Sequence, residues 1–268
     1  MSLSVFAKRA AMSRAVAGAA RCFSSSSVSV SPSYTGQKDP SKMLADIDLI
    51  VCDMAGTTVE EGGVVYKTLR KVMVDDGLAV SESEMHPWHG AKKEAVIAHF
   101  AEAQGTPAGP DLDARVQRLG DNFEAEIEVA YFQPNSPVSL IQPNVLAWIS
   151  DLQSKGTKVG LDTGYPPNIQ EGLMEKLNLK GAVDSHVSAY QVAEGRPYPY
   201  MIYRNMEIAG TMDVSRVAKA GDSARDMEEG KNAGCGLVIG VLSGADTAEQ
   251  LLAAGADVVV NNVTELGA

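Results

Sequence analysis

The apolar and polar positions of the chain change regime near Pro143. Before it, Ile47-Asp48-Leu49-Ile50-Val51-Cys52 forms a short apolar run that stops at Asp53. Such a run reads as a strand buried in a parallel sheet. Gly56-Thr57-Thr58 follows as a tight turn, and residues 64–133 then read as mostly helical. Val65, Leu69, Val72 and Met73 recur at helical spacing, a second helix is expected over 90–103, and a third, rich in acids, over 111–131. Residues 134–143 break the pattern with prolines at both ends.

After Pro143 the pattern alternates. Helices are expected over 144–155, 167–177, 198–209, 224–233 and 247–254. Apolar strands are expected over 158–162, 217–220, 236–241 and 257–260, with a strand or loop over 183–188. Strand–helix alternation with strands ending in polar loops is the signature of an α/β fold, a doubly wound (Rossmann-like) parallel sheet. The helical stretch interrupts that alternation just after the first strand and is long enough to close over a site as a cap. The expected organisation is therefore an α/β core over 43–63 and 142–268, with a helical cap over 64–141.

The first forty residues read differently. Residues 1–30 are rich in Ala, Ser and Arg, contain no acid, and form an amphipathic pattern over 6–20. That composition fits a mitochondrial or plastid transit peptide. Arg21-Cys22-Phe23-Ser24 resembles a mitochondrial processing site, so a mitochondrion is the expected location. A plastid is the alternative, or the cytoplasm if the leader has no targeting role. Residues 24–42, rich in Ser and Pro, read as a linker, and 1–42 are set aside from the fold.

Charge sharpens this division. Residues 1–40 carry Lys8, Arg9, Arg14, Arg21 and Lys38 against Asp39 alone, whereas the whole chain has a net charge of −11. The body is strongly acidic, which argues against a nucleic-acid surface and against anionic membranes as partners. The apolar fraction of 45 % allows a substantial core, and Cys22, Cys52 and Cys235 match no metal-ligand spacing. A reducing compartment fits better than a disulfide framework.

Ligands of doubly wound sheets bind beyond the carboxyl ends of the strands, and Asp53, Thr163 and Asp222 stand there. A carboxylate can attack phosphorus and hold a phosphoryl group as an acyl phosphate. Asp222 and Asp226, spaced Gly-Asp-x-x-x-Asp, can join Asp53 around magnesium, which prefers a few carboxylate oxygens. Thr163, with the backbone N–H groups of the Gly164-Tyr165 turn, and Arg196 suit phosphate oxygens. Each also has a plainer role: an Asp at a strand end is often a turn residue, and Asp222 could cap the helix starting near Ser223.

The order of these motifs matches a family. Asp53-Met54-Ala55-Gly56-Thr57-Thr58, Thr163-Gly164-Tyr165, Gly195-Arg196-Pro197-Tyr198-Pro199 and Gly221-Asp222-Ser223-Ala224-Arg225-Asp226 resemble the motifs of the haloacid dehalogenase superfamily. The resemblance spans about residues 46–266. It implies a Mg2+-dependent hydrolase that forms an aspartyl-phosphate on Asp53, with the metal at Asp53, Ala55, Asp222 and Asp226. Most phosphatases of this superfamily have a second Asp at the position of Ala55, to protonate the leaving alkoxide. Alanine there, and the Asp-x-Ala-Gly-Thr-Thr-Val and Gly-Arg-Pro-Tyr-Pro runs, resemble phosphonoacetaldehyde hydrolases (phosphonatases). In that family a cap lysine in a Gly-x-x-Lys signature forms a Schiff base with the substrate aldehyde. Gly90-Ala91-Lys92-Lys93 carries the spacing and selects Lys93.

Such a lysine must be neutral to attack, so it needs burial or a neighbouring cation, for which Lys92 is one choice. An exposed helix face is the plainer account of the pair. His89, Val96 and Gly63 stand where the phosphonatases have Met, His and Cys, and His89 or Tyr165 is left to move protons. The expected partner is a small phosphorylated or phosphonate substrate, and the family resemblance implies a homodimer through the cap. The competing expectation is a phosphomonoesterase acting on a small metabolite such as a sugar phosphate. A non-catalytic phospho-acceptor related to receiver domains is disfavoured by the insert after the first strand.

Overall fold

A computed structural model describes residues 28–32 and 34–268. The expected transit peptide falls almost wholly outside the described residues. Nine strands are described: β1 Ser29–Val30, β2 Leu49–Asp53, β3 Val59–Glu60, β4 Ser139–Leu140, β5 Lys158–Thr163, β6 Ser185–Ser188, β7 Val217–Gly221, β8 Leu237–Val241 and β9 Val258–Val260. Seven form one sheet in the order β1-β9-β8-β7-β2-β5-β6. All pairings in it are parallel except β1 on β9.

The central place of β2, between β7 and β5, explains its sequence. All five residues are buried. Ile50 and Cys52 join the large core cluster, whereas Leu49 and Val51 pack with Ile202, Met206 and Val217 on the other face. A strand covered on both faces has no polar side to show, so the run is continuous rather than alternating. The register sets Asp53 beside Asp162 of β5 and Val51 beside Lys219 of β7.

The core helices are α5 Val145–Ser154, α6 Pro167–Lys176, α7 Tyr200–Ala209, α8 Ala224–Ala233 and α9 Ala248–Ala253, which follow the cap helices α1 Val64–Asp75, α2 Glu82–Met85, α3 Lys93–Ala103 and α4 Pro110–Phe132. In the cap, α4 packs on α1 and α3. Its buried positions Leu112, Leu119, Phe123, Ile127 and Tyr131 form one stripe, while Asp111, Asp113, Asp121 and Glu128 face outward. The acids of this helix are thus the solvated side of an amphipathic element. In α1 the buried residues are Val65, Leu69, Val72 and Met73, the four that carry the helical spacing.

Three features depart from expectation. Ser29–Val30 lies in the stretch expected to be linker, yet it pairs antiparallel with Val258–Val259. That pairing covers an edge whose backbone groups would otherwise stand open. The chain leaves and re-enters the core through a two-stranded antiparallel ribbon, Val59 opposite Leu140 and Glu60 opposite Ser139, too short to show a period in the sequence. Finally, α3 begins at Lys93 rather than at 90: Gly90 takes φ 78°, which glycine adopts without steric cost, and Lys92 is still extended.

Candidate active site

The strand ends and the cap enclose a cavity of about 520 Å³, whose lining includes Asp53, Ala55, Lys93, Thr163, Arg196 and Asp222. Gly164 and Tyr165 line it as well. Asp226 lies just behind, fully buried. The fold therefore brings together all the residues singled out from the sequence.

Asp53 ends β2, and the turn after it is closed by backbone. Thr57, Thr58 and Val59 all donate N–H to the Met54 carbonyl, and the Thr58 hydroxyl donates to the Asp53 carbonyl at 2.9 Å. Gly56 takes φ 78°, and a Cβ there would meet Asp222 Oδ2 at 2.5 Å. Glycine is required on both counts. Ala55 lines the cavity and offers no side-chain proton donor.

Behind Asp53 lies a buried ion network. Arg196 Nη2 donates to Asp53 Oδ1 at 2.6 Å and also to Asp162. Its Nε lies 3.1 Å from both Glu229 and Asp226. Lys219 Nζ contacts Asp162 at 2.6 and 2.7 Å, Glu229 at 3.0 Å and Asp226 at 3.1 Å. Arg196 was expected to hold phosphate directly. Most of its donors instead engage carboxylates, and Nη1, 3.5 Å from the Gly90 carbonyl, is the one turned toward the cap.

Burial and crowding shape the charges. Burial pushes Asp53 up to about 6 against the opposing Arg196 charge. Burial, with repulsion from Asp53 and Asp226, holds Asp222 well above the usual carboxylate range. Asp162 goes the other way, down to about 2: burial raises it, but Arg196 and Lys219 outweigh that. Burial pushes Glu229 up to about 8. Among the described residues Glu229 Oε1 is buried without a hydrogen-bond partner, and Asp226 Oδ1 is held only by the ion-pair contacts to Arg196 Nε and Lys219 Nζ.

An excess of buried carboxylate with an orphaned oxygen is costly unless a cation offsets it. Asp53, Asp162 and Asp226 can bring ligand oxygens within 4.8 Å of one another. Both Asp162 oxygens, however, are already held by Lys219 and Arg196. Among the described residues the Asp222 carboxylate has only the Ala245 N–H at 2.7 Å and a long contact to the Thr57 hydroxyl at 3.4 Å. The all-oxygen donor set and its uncompensated charge fit a hard divalent cation. The capping role considered for Asp222 belongs to Asp226, whose Oδ2 accepts from Ser223 N and Oγ in a capping box on α8.

The cap contributes Lys93. It is 3 % exposed, so it does not lie on a solvated face. Its Nζ donates to the Ala91 carbonyl at 3.0 Å and to Tyr66 Oη at 3.3 Å, and lies 4.8 Å from the Tyr66 ring. Burial pulls its pKa down to about 8; the Asp53 charge opposes this and Arg196 assists. Lys92 is not the assisting cation, since its Nζ sits over the Tyr190 ring at 4.6 Å. His89 stacks on Tyr66 at 3.8 Å and is pulled down to about 4 by burial, with His86 and Lys93 adding to it. It is neutral at pH 7 and is no acid there. Tyr165 hydrogen-bonds Tyr131 at 2.8 Å, and Tyr131 donates to Glu61 at 3.1 Å.

Cap and core meet closely at Gly164, where a Cβ would lie 2.8 Å from the Ala91 carbonyl oxygen. Arg225 adds a hydrogen bond to the Pro87 carbonyl at 3.1 Å and stacks its guanidinium over Trp88 at 4.8 Å. Thr163 Oγ1 accepts from Tyr165 N at 3.2 Å, which leaves its own proton to donate into the cavity. Sequence reasoning passed over Asp162, Lys219, Glu229 and Tyr66. For Asp162 and Lys219 a signal existed: charged residues inside apolar strands must be paired. Tyr66 gave none, because one tyrosine in a helix has no distinguishing pattern.

Residues 47–234 match the family model described as haloacid dehalogenase-like hydrolase. The chain is 30 % identical over 223 residues to the phosphonoacetaldehyde hydrolase of Lysinibacillus sphaericus, covering 77 % of this chain and 80 % of that one. Among solved structures it is similar to a phosphonoacetaldehyde hydrolase-like protein from Oleispira antarctica, with a TM-score of 0.66 and 22 % identity over 82 % of this chain and 89 % of that one. A hydrolase from Pseudomonas syringae gives a TM-score of 0.68 at 16 % identity, over 81 % and 95 %. At those identities the structures speak for the fold alone.

Proposed function

The chain belongs to the haloacid dehalogenase-like hydrolases, and on that premise we propose that it cleaves the C–P bond of phosphonoacetaldehyde or a related phosphonate. The observation that carries this is the convergence of a buried, easily neutralised Lys93 and the Asp53 carboxylate on one cavity, where Ala55 provides no acid for an alkoxide leaving group. Hydrolases of this family use Mg2+. We assign its ligands here as Asp53, Asp222 and the Ala55 carbonyl, with Asp226 supporting from behind. When bound, the ion offsets the buried negative charge and that of the phosphonate oxygens.

The chemistry then belongs to the side chains. The neutral Lys93 amine adds to the aldehyde carbon, and loss of water with uptake of one proton from solvent leaves a protonated imine. That imine draws the C–P bonding pair into an enamine as an Asp53 oxygen bonds phosphorus. No proton is needed on the leaving atom at that moment, which accounts for Ala55. Water then attacks the acyl phosphate and releases phosphate. Protonation of the enamine carbon and hydrolysis of the imine free acetaldehyde and Lys93. Thr163 Oγ1, the Gly164 N–H and Arg196 Nη1 orient the phosphonate oxygens.

The test is phosphate release from phosphonoacetaldehyde beside a panel of phosphomonoesters, for wild type and Lys93→Ala. Release from the phosphonate alone, lost in Lys93→Ala, is expected. Wild-type-like turnover of the phosphonate by Lys93→Ala sinks the Schiff base. A phosphomonoesterase for a small metabolite such as a sugar phosphate is the second reading. A 520 Å³ cavity, within the range that holds ligands much larger than a two-carbon phosphonate, favours it. That reading predicts turnover in the ester panel, untouched by Lys93→Ala. Mitochondrial delivery by residues 1–42 and a homodimer through the cap complete the proposal. Fusion of 1–42 to a fluorescent protein and light scattering of the purified body test them.

A further inference from the structure

Tyr66 lies where neither the family motifs nor the Asp53 constellation would lead, yet it lines the cavity and touches the reacting nitrogen. Its Oη accepts the Gly90 N–H at 2.5 Å and the Lys93 ammonium at 3.3 Å. The Gly90 amide belongs to the loop that presents Lys93, so one phenol fixes both the loop and the amine. The ring is clamped face to face by His89 at 3.8 Å, and His89 stacks in turn on His86 at 5.1 Å. Oη accepts in both of these hydrogen bonds, and its own proton has no acceptor among the described residues.

We propose that Tyr66 is the catalytic proton relay of Lys93, taking a proton from the nitrogen and giving its own to the carbonyl oxygen as the carbinolamine forms. This rests on the Schiff-base reading above. In the step, the Lys93 lone pair forms the C–N bond and the carbonyl π pair moves onto oxygen. One N–H proton passes to Tyr66 Oη while the phenolic proton passes to that oxygen. The phenol is neutral before and after, and the proton lost by nitrogen equals the one gained by oxygen. A free phenolate is not formed: burial, with the Asp53 and Asp222 charges nearby, makes it costly, so the two transfers are concerted. His89 keeps the ring in place, and its contribution is orientation.

The test compares wild type and Tyr66→Phe for the rate of borohydride-trapped adduct with phosphonoacetaldehyde, across pH. Phenylalanine keeps the ring and its stack. The expected result is a fall of about 10²–10⁴-fold in the plateau rate, the usual range for a lost acid–base group, with the ascending limb near 8 unmoved. A limb that shifts while the plateau recovers means that Tyr66 only tunes Lys93, and overturns the relay. A rate within a few-fold of wild type at all pH values overturns it too, with the Schiff base standing. No adduct in the wild type overturns both. If Tyr66→Phe does not fold, fluorotyrosine at position 66 replaces it. A more acidic phenol must then change the plateau rate, and an unchanged rate rejects the relay.

Discussion

Replacing Lys219 with Met probes the ion network on which Asp53 rests. The ammonium is fully buried and meets Asp162 at 2.6 and 2.7 Å, Glu229 at 3.0 Å and Asp226 at 3.1 Å. Methionine keeps most of the stem, so the change removes charge far more than volume. Removing one partner of a buried pair costs about 3–5 kcal/mol, because the opposite charge is left uncompensated. Two features put Lys219→Met at the low end. Arg196 stays on the same carboxylates. Glu229, pushed up to about 8 by burial, already holds a proton in most molecules at pH 7 and leaves little charge uncovered. The expected loss is about 3 kcal/mol at pH 7, or a melting point lower by roughly 6–12 °C for a body of this size. Urea unfolding followed by circular dichroism, with thermal melts beside it, measures it. The loss should shrink toward pH 5, where the variant's carboxylates bind the protons that Lys219 had kept off them. A loss below about 1 kcal/mol, or one that grows on acidification, refutes the network's role.

Four further outcomes follow from the same geometry. Gly164→Ala puts a Cβ 2.8 Å from the Ala91 carbonyl, so it should part cap from core and cost about 1–3 kcal/mol, read as a lower melting point and faster proteolysis of the cap. Metal-free protein should lose stability as pH rises from 6.5 to 8. Glu229 titrates at about 8 when folded against 4.5 ordinarily, so the folded state holds more protons there, with a slope of up to ~1.4 kcal/mol per unit in a urea series. Mg2+ should raise the melting point of wild type, by about 2.7 kcal/mol of stability at a hundredfold excess over Kd, and EDTA should abolish turnover. Asp222→Asn, freed of repulsion from Asp53 and Asp226, should melt no lower without metal and lose the Mg2+ response.

Much of this was legible in the chain because the strands and helices obey simple periods. The continuous run ending at Asp53 reads as a covered strand, and Val65, Leu69, Val72 and Met73 mark the buried side of a helix. The strand-end positions of Asp53, Thr163 and Asp222 follow from those periods. What escaped is what depends on register. Asp162 meets Arg196 and Lys219 only because β5, β2 and β7 lie side by side. The short ribbon of Val59–Glu60 and Ser139–Leu140 and the edge strand Ser29–Val30 hold by pairing, and two residues carry no period. Arg196 read as a phosphate ligand because its charge suggested it, whereas three-dimensional neighbours engage most of its donors. Tyr66 reaches Lys93 because the loop at Gly90 turns back under α1.

The reaction turns on whether Lys93 bonds carbon while Asp53 bonds phosphorus. Incubation with phosphonoacetaldehyde and borohydride, followed by peptide mapping, answers the first half in one measurement. The predicted result is an N-ethyl group on Lys93, left by reduction of the imine after the C–P bond has broken, together with lost activity. An unmodified Lys93 in protein that still releases phosphate from the phosphonate contradicts the account.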